Sequence, residues 1–103
     1  MNIITEIVTM KLSGNITKDN FISIVDKLEK DFHLKQSGFI DSELLYNEQD
    51  DLWIMIFHWE SMEQLKASSE KMFTVSTTEP FIKLLNPENV KMIIAPQLEV
   101  WRS

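Results

Sequence analysis

Two side chains of this sequence are candidates for accepting a proton in an apolar environment, Glu6 and His58. Glu6 interrupts an apolar, β-branched segment, and His58 is the single ionisable residue of the segment from Leu52 to Trp59. In a pocket, either could take a proton from a phenol, since imidazole titrates near neutral pH and burial raises the pKa of a carboxyl group. Each has a structural alternative: Glu6 could pair with a donor, and His58 could be bonded at a sheet rim.

Other kinds of catalytic or binding site have no support in the sequence. There is no cysteine, and the two histidines, His33 and His58, lie on different predicted elements. We expect no metal site, because a metal ion needs three or four suitably spaced ligands. There is no glycine-rich phosphate loop and no serine nucleophile in triad order. His33, between Asp31 and Lys35, is expected to face solvent.

Length, composition and charge narrow the class of protein. With 103 residues, 44% of them hydrophobic and 25% charged, residues 1–103 are expected to form one domain. The net charge of −6 argues against a nucleic-acid partner, whose phosphates need a positive surface. No apolar run reaches the roughly 20 residues that span a bilayer, and the N-terminus lacks a signal-peptide pattern. We expect a cytoplasmic protein with no membrane partner.

The segment Leu52–Trp59 predicts a strand that is covered on both faces. A strand with one wet face alternates apolar and polar residues, whereas this segment is apolar at both phases through its first six residues. The chain has about two helices, which would cover one face of a sheet. A second copy of the same sheet is therefore expected to cover the other face, in a homodimer.

The remaining segments give the order of elements. Further strands are predicted at Ile3–Leu12, Phe39–Tyr46 and Val90–Trp101, the last bent or at a sheet edge because Pro96 cannot donate a ladder hydrogen bond. One helix is predicted from Thr17 and another from Ser61, with a break at residues 74–78 and a short helical piece around residues 81–85. The order β-α-β-β-α-β is typical of a ferredoxin-like α+β fold, with two helices on one face of a four-stranded antiparallel sheet.

This order, the chain length, the Gly38-Phe39 pair and the Trp59-Glu60-Ser61 junction resemble the antibiotic biosynthesis monooxygenase superfamily. The resemblance implies a homodimeric α/β barrel with a cavity between the helices and the sheet of each protomer. It implies oxygenation of a small aromatic, quinol- or anthrone-like substrate without a cofactor. Ser68 stands where many members carry a histidine, so the usual polar group is missing. Haem degradation is not expected, because the residues on which such members rely are absent.

Two functions therefore stay open. In an enzyme, Glu6 or His58 would be the base, Ser68 would orient the substrate, and an aromatic set would form the pocket walls. That set is Trp59, Phe73 and Phe81, of which the two phenylalanines flank the predicted helix break. The alternative is a non-catalytic dimer that binds a small ligand or fills its pocket with its own side chains. An open cavity reached by a polar group would favour the enzyme.

Overall fold

The computed structural model describes residues 2–103 as a four-stranded antiparallel sheet with helices on one face. The strands are β1 (Ile4–Met10), β2 (Phe39–Asn47), β3 (Leu52–Trp59) and β4 (Lys91–Pro96), in the order β2-β3-β1-β4. The helices are α1 (Lys18–Asp31), α2 (Met62–Met72) and the four-residue α3 (Glu79–Ile82). Short 3₁₀ turns cover His33–Lys35, Ser76–Thr78 and Pro87–Asn89. The predicted ferredoxin-like α+β fold is confirmed.

Local signals in the sequence account for where the two long helices begin. The hydroxyl oxygen of Thr17 accepts a hydrogen bond from the backbone N–H of Asn20 at 3.1 Å, and Ser61 accepts one from Gln64 at 3.2 Å. Each bond satisfies a backbone donor that the first turn of a helix leaves free. From α1, the residues Phe21, Val25 and Leu28 are buried against the sheet. This face of the sheet, called the inner face below, carries the core.

Strand register separates the inner face from an outer face that the helices do not cover. Trp53, Met55, Phe57 and Trp59 of β3 are buried on the inner face, beside their β1 partners. The alternate residues of β3, Leu52 to His58, are only partly covered. Burial on both faces is therefore incomplete within one chain, as expected if a further molecule covers the outer face.

The last strand is shorter than predicted and lies at an edge of the sheet. β4 ends at Pro96, and the backbone N–H of Gln97 makes a final hydrogen bond to the carbonyl of Ile3 at 2.7 Å. The prediction that the strand continues to Trp101 is wrong, whereas the edge position expected from Pro96 is confirmed. Within residues 2–103, no helix is both long enough and apolar enough to cross a membrane.

Candidate functional site

A cavity of about 120 Å³ lies between the helices and the inner face of the sheet. Its walls are mainly apolar, and β1, β3, β4 and all three helices contribute to them. Four lining residues carry polar side chains: Glu6, His33, Ser68 and Ser69. The volume approaches that of an engineered protein cavity of about 150 Å³ that binds benzene. The space therefore suits one aromatic ring.

Two lining residues mark the opening of the cavity to solvent. Phe73, the residue after α2, is 74% exposed, and Met92 on β4 is 51% exposed. The helices do not cover the inner face of β4, since the residues of this strand are all exposed. Phe73, predicted as a pocket wall, follows the last residue of α2 and is among the residues that line the cavity. Phe73 lies at the mouth of the cavity.

Glu6 reaches the cavity from the middle of β1 and is 5% exposed. Its Oε1 accepts a hydrogen bond from the indole N–H of Trp59 at 3.1 Å. Burial raises the pKa of Glu6 above its ordinary value, and the charge of Glu29 adds to this rise. The Trp59 hydrogen bond and the charge of His33 lower the pKa and so act against it. The two alternatives for Glu6 were a place in a pocket and a bond to a donor. In the structure it has both, since it faces the cavity and accepts a hydrogen bond from Trp59.

The position of His33 differs most from what the sequence predicts. It was expected at the surface, but it is 4% exposed and lines the cavity. α1 ends at Asp31, and the 3₁₀ turn that follows rotates the side chain inward. The imidazole packs against the rings of Phe57 and Phe32, with centroid distances of 4.9 and 5.0 Å.

A hydrogen-bonded chain of three side chains holds His33 from behind. Nδ1 of His33 contacts Oε2 of Glu29, one helical turn earlier. The hydroxyl of Ser42 on β2 donates to Oε1 of the same carboxylate at 2.5 Å. Glu29 is largely buried, with a side-chain exposure of 15%. The arrangement is that of a carboxylate orienting an imidazole, which is a common way to prepare a histidine for proton transfer.

The other predicted pocket residues also line the cavity. Trp59 and Phe81 are buried in its wall, and the side chain of Ser68 enters from α2. Ser68 is 3% exposed, and its hydroxyl is among the polar groups of the cavity wall that a ligand could contact. Whether these residues bind a substrate stays a prediction.

His58 does not reach the cavity, so its predicted place at the pocket is wrong. Side chains alternate along β3, so His58 lies on the outer face while Phe57 and Trp59 face inward. Its Nδ1 is 2.6 Å from Oδ1 of Asp41 on β2. This agrees with the alternative interpretation of His58 as a histidine bonded at the sheet.

One sequence signal could have found His33. Glu29 and His33 are four residues apart, which places their side chains next to each other on a helix. The pair falls at the edge of the apolar stripe of α1, beside Leu28 and Phe32. Which side of the helix end turns inward is decided by the 3₁₀ turn, which periodicity alone does not predict. In residues 2–103 there is no group of three or more acidic, histidine or cysteine residues that could hold a metal ion.

Comparison with known proteins shows similarity at the level of structure. A variant of SnoaB, a cofactor-independent oxygenase from Streptomyces nogalater, aligns with a TM-score of 0.73 and 14% identity over 100% of both chains. A Chloroflexus aurantiacus protein proposed to be an antibiotic biosynthesis monooxygenase aligns with a TM-score of 0.68 and 15% identity over 97% of each chain. The chain has the fold of these proteins.

A third similar structure is a dimeric ferredoxin-like protein from an uncultured marine organism. It has a TM-score of 0.67 and 14% identity, over 100% of this chain and 95% of the other. No family model and no curated protein matches the sequence. At these identities the comparison shows the fold, and the predicted resemblance to the antibiotic biosynthesis monooxygenase superfamily is confirmed at that level. Activity is a separate question.

Proposed function

We propose that this protein is a cofactor-independent, monooxygenase-like enzyme that acts on a small aromatic substrate, such as a quinol, as a homodimer. The observation that carries the proposal is an apolar cavity reached by proton-accepting side chains, Glu6 and His33, and by the Ser68 hydroxyl. The oxygenase activity of SnoaB, which has the same fold, supports it. We expect the chain to act in the cytoplasm.

The chemistry needs little from the protein beyond this environment. Loss of a phenolic proton makes the ring electron-rich enough to transfer an electron to oxygen, and the two radicals then join in a carbon–oxygen bond. Release of water leaves one oxygen atom on the ring, and the substrate supplies all the electrons. A dry cavity with a base that accepts the proton is suited to this sequence, since it excludes water from the reactive intermediates.

The size of the cavity restricts the substrate. A single ring fits a volume of about 120 Å³. An anthrone has three fused rings, so it would enter only if the mouth between Phe73 and Met92 opened further. Of the two substrate types that the resemblance implies, the one-ring quinol is the one we propose. Trp59 and Phe81 would form the walls beside it, and Ser68 would bond to one of its oxygens.

The homodimer would form through the outer face of the sheet. This face presents apolar side chains at its centre, including Ile7, Ile54 and Ile56, and Ile93 beside them is 63% exposed. A soluble monomer rarely leaves such a continuous apolar surface uncovered. The dimeric state of the similar ferredoxin-like protein supports association into a dimer.

Oxygen consumption tests the proposed function. With a one-ring quinol such as methylhydroquinone, we expect uptake above the uncatalysed rate and, from ¹⁸O₂, one labelled oxygen atom in the product. Ser68→Leu fills the cavity, so turnover should fall at least about tenfold, because each missing 1.4 kcal/mol of transition-state binding is tenfold in rate. Lys66→Leu, on the exposed side of the same helix, should leave turnover unchanged.

The alternative function, a non-catalytic ligand-binding module, predicts a different result. The quinol would then bind without any oxygen uptake above background, and Ser68→Leu would reduce binding alone. The carboxyl group of Glu6 and the imidazole of His33 at an open cavity favour the enzyme. A module that only binds an apolar ring gains nothing from burying these two groups.

A further inference from the structure

We propose that His33 is the residue that accepts the proton of a phenolic ligand in the cavity, and that Glu29 and Ser42 are positioning residues for it. The inference rests on the proposed aromatic ligand. The sequence patterns placed His33 at the surface and gave the role of the base to Glu6 or His58. We assign that role to His33 instead.

The hydrogen bonds behind the imidazole determine its tautomer. Oε2 of Glu29 lies against Nδ1 of His33, and the Ser42 hydroxyl donates to the other carboxylate oxygen. An ionised carboxylate only accepts hydrogen bonds, so the hydrogen of a neutral His33 belongs on Nδ1. The lone pair is then on Nε2. This is the tautomer that can take a proton at Nε2.

Nε2 is free to meet a ligand. Among residues 2–103, the side-chain hydrogen bond of His33 is made by Nδ1. No buried side-chain nitrogen or oxygen of these residues lacks a partner, so Nε2 is not sealed in the core but can be reached from the cavity that His33 lines. The ligand that this atom selects is a hydrogen-bond donor on a flat apolar body, which describes a phenol.

Aromatic neighbours prevent the imidazole from turning away. Besides Phe32 and Phe57, the rings of Phe39 and Trp59 lie 5.8 and 6.2 Å from it, centroid to centroid. The imidazole is thus packed on several sides and bonded at Nδ1. A base held in one orientation loses no entropy when the ligand arrives, which is what efficient proton transfer needs.

The proposed transfer is balanced in protons and charge. The phenolic O–H bond breaks, and its proton forms a new bond to Nε2. The products are a phenolate and an imidazolium, and the imidazolium is stabilised by the negative charge of Glu29. Among residues 2–103, the charged groups that interact with His33 are Glu29 from α1 and Glu6 from β1. Glu6 is therefore the competing acceptor that an experiment must separate.

A chromogenic phenol makes the proton transfer visible. 4-Nitrophenol absorbs in the visible range only as the phenolate, so a pH titration reports its ionisation when bound. With the wild-type protein, the bound probe should ionise at least about one pH unit lower than the free probe. His33→Gln keeps a polar side chain of similar size but cannot take up the proton, so the shift should disappear. His58→Gln should behave as the wild type.

Glu29 and Ser42 are tested by the same titration. Glu29→Gln still offers an oxygen to Nδ1 but lacks the negative charge, so the bound probe should ionise at higher pH than in the wild type. A purely structural role for Glu29 would leave that pH unchanged. Ser42→Ala should produce a smaller change in the same direction, because it removes one donor to the carboxylate and no charge.

A second measurement needs no variant that alters the cavity. In ¹⁵N spectra of the free wild type, neutral His33 should be protonated at Nδ1, and 4-nitrophenol should convert it to the doubly protonated form. The His58→Gln protein, which has one histidine, assigns the signals. His33 protonated at Nε2 in the free protein would overturn the inference.

The outcomes also separate this inference from the proposed function. If the phenolate signal persists in His33→Gln and disappears in Glu6→Gln, the acceptor is Glu6, and the aromatic ligand of the cavity stands. If 4-nitrophenol does not bind to the wild type, the aromatic ligand itself is wrong, and the assignment of His33 fails with it.

Discussion

Glu6 makes the stability of the protein depend on pH. Its pKa is raised in the folded state above the ordinary value of 4.5, mainly by burial. The folded protein therefore holds this proton at pH values where the unfolded chain has lost it. The contribution to stability is complete below the unfolded pKa and is lost as the pH rises through the folded pKa, by about 1.4 kcal/mol for each unit of difference.

Comparison with Glu6→Gln isolates this effect. Glutamine stays neutral, and its carbonyl oxygen can still accept the hydrogen bond of Trp59. The melting temperature of the variant minus that of the wild type should therefore increase as the pH rises above about 4.5. Glu70→Gln, at an exposed position of α2, should show no such trend. A difference for Glu6→Gln that is constant with pH would mean that burial does not perturb this carboxyl group.

The two histidines show how far residue types alone predict a site. The sequence singled out Glu6, Trp59, Ser68 and Phe81 as residues that could share one pocket, and in the structure all four line one cavity. It placed His33 and His58 the wrong way round. The side on which each lies depends on one local event, the 3₁₀ turn after α1 for His33 and the strand register for His58. Neither event has a strong sequence signal.

The turn at Gly38 is constrained both by its backbone conformation and by a close neighbour. Gly38 precedes β2 and has a φ of +82°, and its carbonyl accepts the backbone N–H of Glu60 at 2.8 Å. A Cβ atom at this position would lie 2.2 Å from Oε1 and 2.8 Å from Cβ of Gln64 on α2. The glycine thus allows the start of α2 to pack directly against the start of β2.

Gly14 provides a matched control for a substitution at Gly38. It has nearly the same φ, +81°, but a Cβ there would meet nothing within 4 Å. Gly14→Ala should lower the free energy of unfolding by about 1–2 kcal/mol, the cost of a left-handed alanine. Gly38→Ala should lose about 1–3 kcal/mol more, because overpacking adds to the strain. Equal losses in urea denaturation would show that Gln64 moves aside freely.

The boundaries of the elements were predicted correctly where neighbouring residues determine them. β3 spans the predicted range from Leu52 to Trp59, and the helices start at the predicted caps, because these limits are set by neighbouring residues. β4 stops at Pro96, where hydrogen-bond donation is lost. The predicted strand continued to Trp101, but Leu98 and Trp101 are both more than four-fifths exposed.

For the whole molecule, the central prediction is that the outer face of the sheet is an interface between two copies. Successive residues of β3 test it, since Ile54 points to the outer face and Met55, 2% exposed, points to the core. Ile54→Asp should leave the circular dichroism spectrum of the fold unchanged and abolish association. Met55→Asp should unfold the chain, because a carboxylate without a partner in the core costs several kcal/mol.

The masses in solution decide between the models. By light scattering at micromolar concentration, the wild type should have about twice the mass of one chain, and Ile54→Asp the mass of one. A monomeric wild type would refute the paired sheets. A dimeric Ile54→Asp would place the interface elsewhere. Lys66→Asp, a change of charge on the exposed side of α2, should stay dimeric. Adjacent residues of one strand point to opposite faces of the sheet. A folded Ile54→Asp protein that no longer associates would therefore show that the outer face forms the dimer interface.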